Sequence, residues 1–289
     1  MALLDPKLQY HINVNADDER IGKYVILPGD PGRVPKIAAL LDNPEHIATN
    51  REYVTWSGTL KCKKWQGGRA LPDPAQRAEA QAESEWSERV SVTSTGIGGP
   101  SAAIAIEELI KCGCHTFIRV GTSGGMNLKV TGGDLVVATA AIRGDGTSAE
   151  YLTPDYPAVA DFEVVSALVQ SAKEICGEDA GNRYHTGVVQ SKDSFYGEVA
   201  PETMPEAARL DLRWNAYIKA GCLASEMEAA TLFAVAQVRE VRAGAVLTAL
   251  WNVERSKAGL PDKVCKDSSK AIKCAVEAIR KLIERDGLN

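Results

Sequence analysis

Short apolar runs rich in valine and isoleucine alternate along this chain with longer stretches whose apolar residues recur every three or four positions. The first pattern suits strands buried on both faces; the second suits helices that lay one side on them. The runs predict strands at Tyr24–Leu27, Thr55–Cys62, Val90–Thr95, Thr116–Val120, Asp134–Ala141, Thr186–Gln190 and Ala243–Leu250. The helical period predicts helices at Ser101–Cys112, Asp161–Cys176, Met204–Ala220, Glu228–Arg239 and Ser268–Arg285. Such an alternation implies an α/β fold, a buried mixed or parallel sheet with helices packed on it. No repeat and no break in composition marks a domain boundary.

One segment departs from the pattern. Trp65–Ser87 is rich in Ala, Gln and Glu and carries Pro72 and Pro74. It separates two β-like runs where a tight hairpin would suffice, so it reads as a solvated insertion, partly helical over Pro74–Glu85. A role in subunit contacts is the alternative.

Composition narrows the class. The 289 residues are 45% apolar and 25% charged, ordinary for a soluble globular protein. A net charge of −5 gives no reason to expect nucleic acid or an anionic membrane as partner. The seven cysteines (Cys62, Cys112, Cys114, Cys176, Cys222, Cys265, Cys274) never stand as CxxC, and the four histidines are isolated. Neither a disulfide framework nor a zinc site is indicated, which favours a reducing compartment. The N-terminus lacks the apolar segment of a signal peptide, and no run approaches the roughly 18 apolar residues of a membrane span. A cytoplasmic enzyme is expected.

Four segments carry candidate chemistry. The strand Phe117–Val120 contains Arg119 and opens into Gly121-Thr122-Ser123-Gly124-Gly125. An arginine in an apolar strand is costly unless an anion meets it, and small residues at the strand end let a ligand approach the backbone. Pro28-Gly29-Asp30-Pro31-Gly32-Arg33 follows another strand, and offers free backbone N–H groups and a second guanidinium, or simply a proline–glycine turn. Ser94-Thr95-Gly96-Ile97-Gly98-Gly99-Pro100-Ser101 again joins strand to helix. It is not GxGxxG, and no Walker lysine is present, so nucleotide cofactors are disfavoured. Ala224-Ser225-Glu226-Met227-Glu228 opens an apolar helix. Ser225-x-x-Glu228 reads as a capping box. In an extended lead-in Glu226 and Glu228 face one side, where two carboxylates can grip neighbouring hydroxyls such as those of a ribose.

Gly121–Gly125 also matches G-x-S-x-G, the nucleophile elbow of serine hydrolases. That elbow needs a helix directly after the serine, whereas Met126–Gly133 reads as loop, and no acid stands out to orient His185, the one later histidine. Anion, hydroxyls and a ribose-like grip instead point to chemistry at an anomeric carbon with phosphate present. The protein then holds two reactants and stabilises developing charge.

The motifs LPGDPGR, NREYVTW, STGIGGPSAAIAIEEL, FIRVGTSGG, KDSFYG and CLASEMEAATLF, in this order, resemble the nucleoside phosphorylases, and within them the bacterial-type uridine phosphorylases. The resemblance runs from about Gln9 to the C-terminal helix and skips only the insertion. It implies one three-layer domain over residues 1–289, a central mixed β-sheet flanked by helices. It also implies phosphate-dependent cleavage of a nucleoside to free base and ribose 1-phosphate, with no organic cofactor, in a homodimer or a hexamer of dimers. Phosphate would sit on Gly29, Arg33, Arg119 and Thr122, with Arg51 from a neighbouring subunit; Arg33, Arg119 and Thr122 would be the catalytic groups. Ribose would sit on Glu226, Met227 and Glu228, with His11 reaching across from the neighbour. The base would lie among Ser123, Gly124, Phe195, Glu198, Thr203, Leu250 and Trp251. A potassium ion would bind near Glu52, Ile97 and Ser101.

The chain departs from that family in the base pocket. Similar uridine phosphorylases carry a glutamine and an arginine where Glu198 and Thr203 stand, and a small aliphatic residue in place of Trp251. Asn252 replaces the aspartate of purine-specific relatives, which argues against a purine enzyme. Gln190, Arg209 and Arg213 are nearby substitutes for the lost donors. Uridine or a related pyrimidine nucleoside is the expected substrate, an altered base preference the alternative, and a non-catalytic nucleoside-binding homologue the third reading.

Overall fold

The computed structural model describes residues 7–63, 85–177 and 183–287. Its strands are β1 (Tyr24–Pro28), β2 (Asp42–Asn50), β3 (Tyr53–Lys63), β4 (Glu85–Thr93), β5 (Thr116–Gly125), β6 (Leu135–Gly144), β7 (Ala158–Val159), β8 (Tyr184–Lys192), β9 (Ala224–Glu226) and β10 (Arg242–Asn252). The longer helices are α1 (Gly99–Lys111), α2 (Phe162–Cys176), α3 (Ala207–Lys219), α4 (Ala229–Val238) and α5 (Ser269–Asp286).

β1 is buried along its whole length and pairs in parallel with β4 and β5. Its alternate residues face opposite layers, as the two-residue period of a strand requires. Val25 and Leu27 pack with Ile106 and Leu109 of α1 and Leu232 and Phe233 of α4. Tyr24 and Ile26 pack with Leu168 of α2 and Ile279 and Leu282 of α5. The result is three layers, helices on both faces of a mixed sheet. Residues 229–236 of α4 are all buried, so this helix is apolar all round rather than amphipathic.

β3 and β2 extend the sheet antiparallel beyond β4. On the other side β5 pairs with β10, β10 with β6, β6 with β8, β8 with β9, and β9 with β5 again. This circuit closes into a small barrel, and the strand ends at its rim build the site.

Most expected elements form, with displaced ends. β5 runs through Gly125 because residues 121–125 continue to pair with β10 and β9. The glycine-rich stretch is therefore strand, not an opening loop. β4 begins at Glu85, paired with Lys63, so the insertion expected over Trp65–Ser87 ends before it. The remainder, 65–84, with nearly all of the helix expected over Pro74–Glu85, lies outside the described residues. The polar edge strand β2, carrying Pro44 and two register shifts, gave no apolar run to detect it.

Candidate active site

A cavity of about 1300 Å³ opens at the barrel rim, where the carboxyl ends of β1, β5, β8 and β10 meet the start of α4. Arg119 forms part of its floor. The side chain is 7% exposed, with Nε donating to Glu226 Oε2 at 3.0 Å and Nη2 paired with Glu228 Oε2. Nη1 is buried and has no partner among the described residues. Burial alone would lower the Arg119 pKa, but the carboxylates of Glu228 and Glu226 reverse this and hold it above its usual value. Burial likewise pushes the Glu228 carboxyl up, against the pull of Arg119.

Arg33 lines the same cavity from the turn Pro31–Arg33, which Asp30 caps by accepting from Gly32 N at 2.8 Å. Burial lowers the Arg33 pKa; Asp30, 3.8 Å away, opposes this and the charge of Arg119 adds to it. Two guanidiniums that feel each other, one with a spare buried N–H, form an anion site. Gly29 keeps the approach open: a Cβ there would lie 3.1 Å from Gly96 O and 3.9 Å from Arg119 Nη1. Thr122 lines the same cavity.

The two glutamates divide their tasks, and the expected capping box does not form. Glu226, not Ser225, caps α4: it accepts from Glu228 N at 2.9 Å and Ala229 N at 3.0 Å, and from Ser191 Oγ. With Arg119 added, its oxygens are engaged within the chain, so it holds the guanidinium in place. Glu228 Oε1 accepts from Gly98 N at 2.6 Å, and Gly98 adopts φ 94°, a conformation that favours glycine. Fewer bonds occupy Glu228, and Met227 lies beside it on the cavity wall.

Farther along the rim Lys192 Nζ meets Glu198 Oε1 at 3.0 Å and donates to Ser225 Oγ at 2.7 Å. Ser225 Oγ in turn donates to Glu198 Oε2 at 2.5 Å. Phe195, Gly124, Leu250, Trp251 and Ser123 complete this end, together with Gln190, Arg209 and Arg213. Ser123 Oγ and Gln190 Oε1 are buried without a partner among the described residues. Glu52, Ile97 and Ser101 line the cavity too, with Ser101 Oγ bonded to the carbonyls of Ile97 and Gly98.

Three expected site residues lie elsewhere. Thr203 is exposed and its hydroxyl donates to Ala200 O at 2.7 Å, closing its own turn, so it does not reach the base end. His11 and Arg51 sit outside the cavity; His11 Nδ1 is 2.6 Å from Glu108 Oε1, and Tyr10 links the two, edge-on to His11 and under the Arg51 guanidinium at 5.6 Å. The hydrolase reading fails on geometry. Ser123 sits within β5 opposite Ala249, and its Oγ has no partner among the described residues. His185 does have an acid, Asp134 at 2.9 Å, but does not line the cavity. Asn252 is fully buried, donating to the carbonyls of Asn127 and Val130, so it is a structural residue here.

The residue pattern alone gives Lys192, Ser191 and Gly98 no role. Lys192 stands two residues after Gln190 on a strand, a same-face signal that a lone lysine does not announce. Gly98 serves through its backbone N–H, which no side-chain pattern reveals. Among the described residues no group of three or more His, Cys, Asp or Glu side chains is arranged to hold a metal ion, and no helix is long and apolar enough to cross a membrane.

The sequence profile of the Phosphorylase superfamily matches residues 74–284. A uridine phosphorylase of Treponema pallidum is 48% identical over 278 residues, covering 96% of this chain and 95% of that protein. A uridine phosphorylase of Thermococcus kodakarensis is 41% identical, covering 96% and 88%. A guanosine phosphorylase of Halorubrum lacusprofundi is 36% identical, covering 95% and 99%. Together with a buried arginine held by paired carboxylates and left with one N–H that has no acceptor among the described residues, these similarities make this chain a member of the phosphorylase superfamily.

Proposed function

We propose that this chain is a nucleoside phosphorylase, a pentosyltransferase that cleaves uridine or a related pyrimidine nucleoside with inorganic phosphate to free base and ribose 1-phosphate. The observation that carries this is the Nη1 of Arg119, without a partner among the described residues, held by Glu226 and Glu228 and lying near Gly29. Phosphate supplies the oxygens these donors lack. Gly29 N–H and Thr122 add contacts. Glu228 and Met227 hold the ribose, with Glu228 accepting from its hydroxyls.

Held so, a phosphate oxygen faces C1′ of the sugar. As the glycosidic bond lengthens, its electron pair leaves on the base and positive charge grows on the sugar. The dianion neutralises that charge, and no protein nucleophile or metal is called for in this scheme. Most of the rate gain comes from positioning two reactants that would otherwise meet rarely.

Tyr10, His11 and Arg51 form one surface patch away from their own cavity. This supports a shared-site homodimer, alone or within a hexamer, in which His11 and Arg51 complete a neighbour's phosphate and ribose sites. The carbonyl of Ile97, Ser101 Oγ and Glu52 gather oxygen donors at the rim and suit a monovalent cation such as potassium, whose part would be charge balance between subunits. We read residues 1–289 as one domain of a cytoplasmic enzyme.

A second reading, cleavage of a 6-oxopurine nucleoside, draws on Glu198 and Trp251 at the base end and on the similarity to a guanosine phosphorylase. Base release from uridine, thymidine, cytidine, inosine and guanosine, with and without phosphate, separates the two. Uracil released only with phosphate supports the first reading; hypoxanthine or guanine in its place supports the second. Release independent of phosphate would overturn both.

A further inference from the structure

We propose that Lys192 and Glu198 read the base: the ammonium donates to a ring carbonyl and carries the charge that develops on the departing base, while the carboxylate accepts from the adjacent ring N–H. This rests on the phosphorylase reading above and deepens it.

The placement follows from strand register. Gln190 of β8 is opposite Ser225 of β9, and Ser191 is opposite Glu226. The Ser191–Glu226 row turns to Arg119 and the anion site, as its hydrogen bonds show. The alternate row, Gln190, Lys192 and Ser225, faces the other way along the same cavity, which puts it at the base end. Lys192 and Glu198 have side chains only 10% and 13% exposed, so each charge is held largely out of water. Phe195, the flat surface expected against the base, has its ring centroid 5.9 Å from Lys192 Nζ.

The pair keeps capacity for a ligand. An ammonium has three donors, of which Ser225 Oγ and Glu198 Oε1 occupy two. The carboxylate accepts from Lys192 and Ser225 and retains further lone pairs. Gln190, on the same row, has a buried Oε1 with no partner among the described residues, an independent sign that this end awaits a polar ligand. The arginine and glutamine expected of uridine phosphorylases are absent, and Thr203 is turned away.

One donor beside one acceptor matches a –C(=O)–N(H)– edge. Uracil presents it at C4 and N3, and a 6-oxopurine at C6 and N1. Cytosine and adenine present a ring nitrogen lone pair instead, which would face the carboxylate. In the reaction the glycosidic C–N bond breaks and its pair stays on the base nitrogen, from which the charge spreads to the ring carbonyls. Lys192 keeps its proton and stabilises that charge by hydrogen bonding. The free base takes its proton from water as it leaves.

The test uses the full chain with uridine, 5-fluorouridine and cytidine at saturating phosphate. Lys192→Met is expected to lower kcat for uridine by about 10²–10³, the usual loss for one preorganised donor. The loss should be smaller for 5-fluorouridine, whose base leaves more easily. Lys192→Arg should restore part of the rate, and the phosphate-induced shift in thermal midpoint should persist in every variant. Glu198→Gln should narrow the uridine-to-cytidine preference, because an amide can donate to the cytosine nitrogen. The double variant Lys192→Met/Glu198→Gln removes both charges and controls for an unpaired buried carboxylate. An equal loss for uridine and 5-fluorouridine, or none, would overturn the assignment while leaving the phosphorylase reading intact. A native enzyme that releases no base with phosphate would overturn that reading, and this one with it. If the native enzyme prefers guanosine, the same comparison between Lys192→Met and Lys192→Arg is read with guanosine against adenosine.

Discussion

Replacing Arg119 with methionine probes the anion site and its scaffold at once. The guanidinium is 7% exposed and sits between two carboxylates that are 1% and 5% exposed. Methionine fills a similar volume but leaves both carboxylates without their cation. Breaking a buried ion pair by removing one partner costs about 3–5 kcal/mol. Glu226 keeps its bonds from Glu228 N, Ala229 N and Ser191 Oγ, so the lower end, about 3 kcal/mol, is the expected loss. For a chain of this size that lowers the thermal midpoint by roughly 5–10 °C. Turnover should fall further than stability implies. Losing one preorganised donor costs about 10²–10³ in kcat, and Arg119 also supplies the charge. Phosphate stabilises the native protein by about 2.7 kcal/mol at a hundredfold excess over its dissociation constant, and the variant should lose most of that shift. Adding Glu226→Gln removes one orphaned charge and should recover midpoint without recovering activity. Thermal unfolding with and without phosphate, beside initial rates, reads all of this. A variant that kept native turnover and the full phosphate shift would refute the anion-site reasoning.

Other perturbations follow from the same geometry. Asn252→Asp turns a carboxylate oxygen toward the carbonyls of Asn127 and Val130, at 2.8 and 2.9 Å from the present nitrogen, and should cost about 2–4 kcal/mol with no gain in purine turnover; denaturant unfolding and an inosine assay check both. Gly98→Ala strains a backbone at φ 94° and disturbs the N–H that holds Glu228, so we expect about 1–2 kcal/mol of lost stability and a lower kcat. Asp286 is raised by burial, but its bonds from Arg242 and Tyr24 outweigh this and set it below its usual 3.8. Its contribution is therefore present above that value and lost as pH falls through the lower folded one. Asp286→Asn should flatten the acid limb of stability below about pH 4, measured by urea midpoints across pH.

The parts of the fold legible in the sequence were those with local signals. β1 and β10 announce themselves as apolar runs, and α4 as an apolar helix after a polar lead-in. β5 was readable only to Val120, since what makes residues 121–125 a strand is pairing with β10 and β9, far away in sequence. Arg119 was legible because a charge in an apolar strand demands a partner. The division between Glu226 and Glu228 was not, because a capping box and a ligand grip share one spacing and only the three-dimensional partners separate them. The same holds for Asp134, 51 residues before His185 yet within hydrogen-bond distance. Lys192 acquires meaning only once Glu198 and Ser225 are beside it.

In the proposed reaction phosphate, not water, takes the sugar. Incubating the protein with uridine and inorganic phosphate and following phosphorus-31 resonance together with uracil absorbance tests this most directly. Ribose 1-phosphate is expected in a one-to-one ratio with free uracil, and no uracil without phosphate. Free ribose as the sugar product, or equal base release without phosphate, would contradict it.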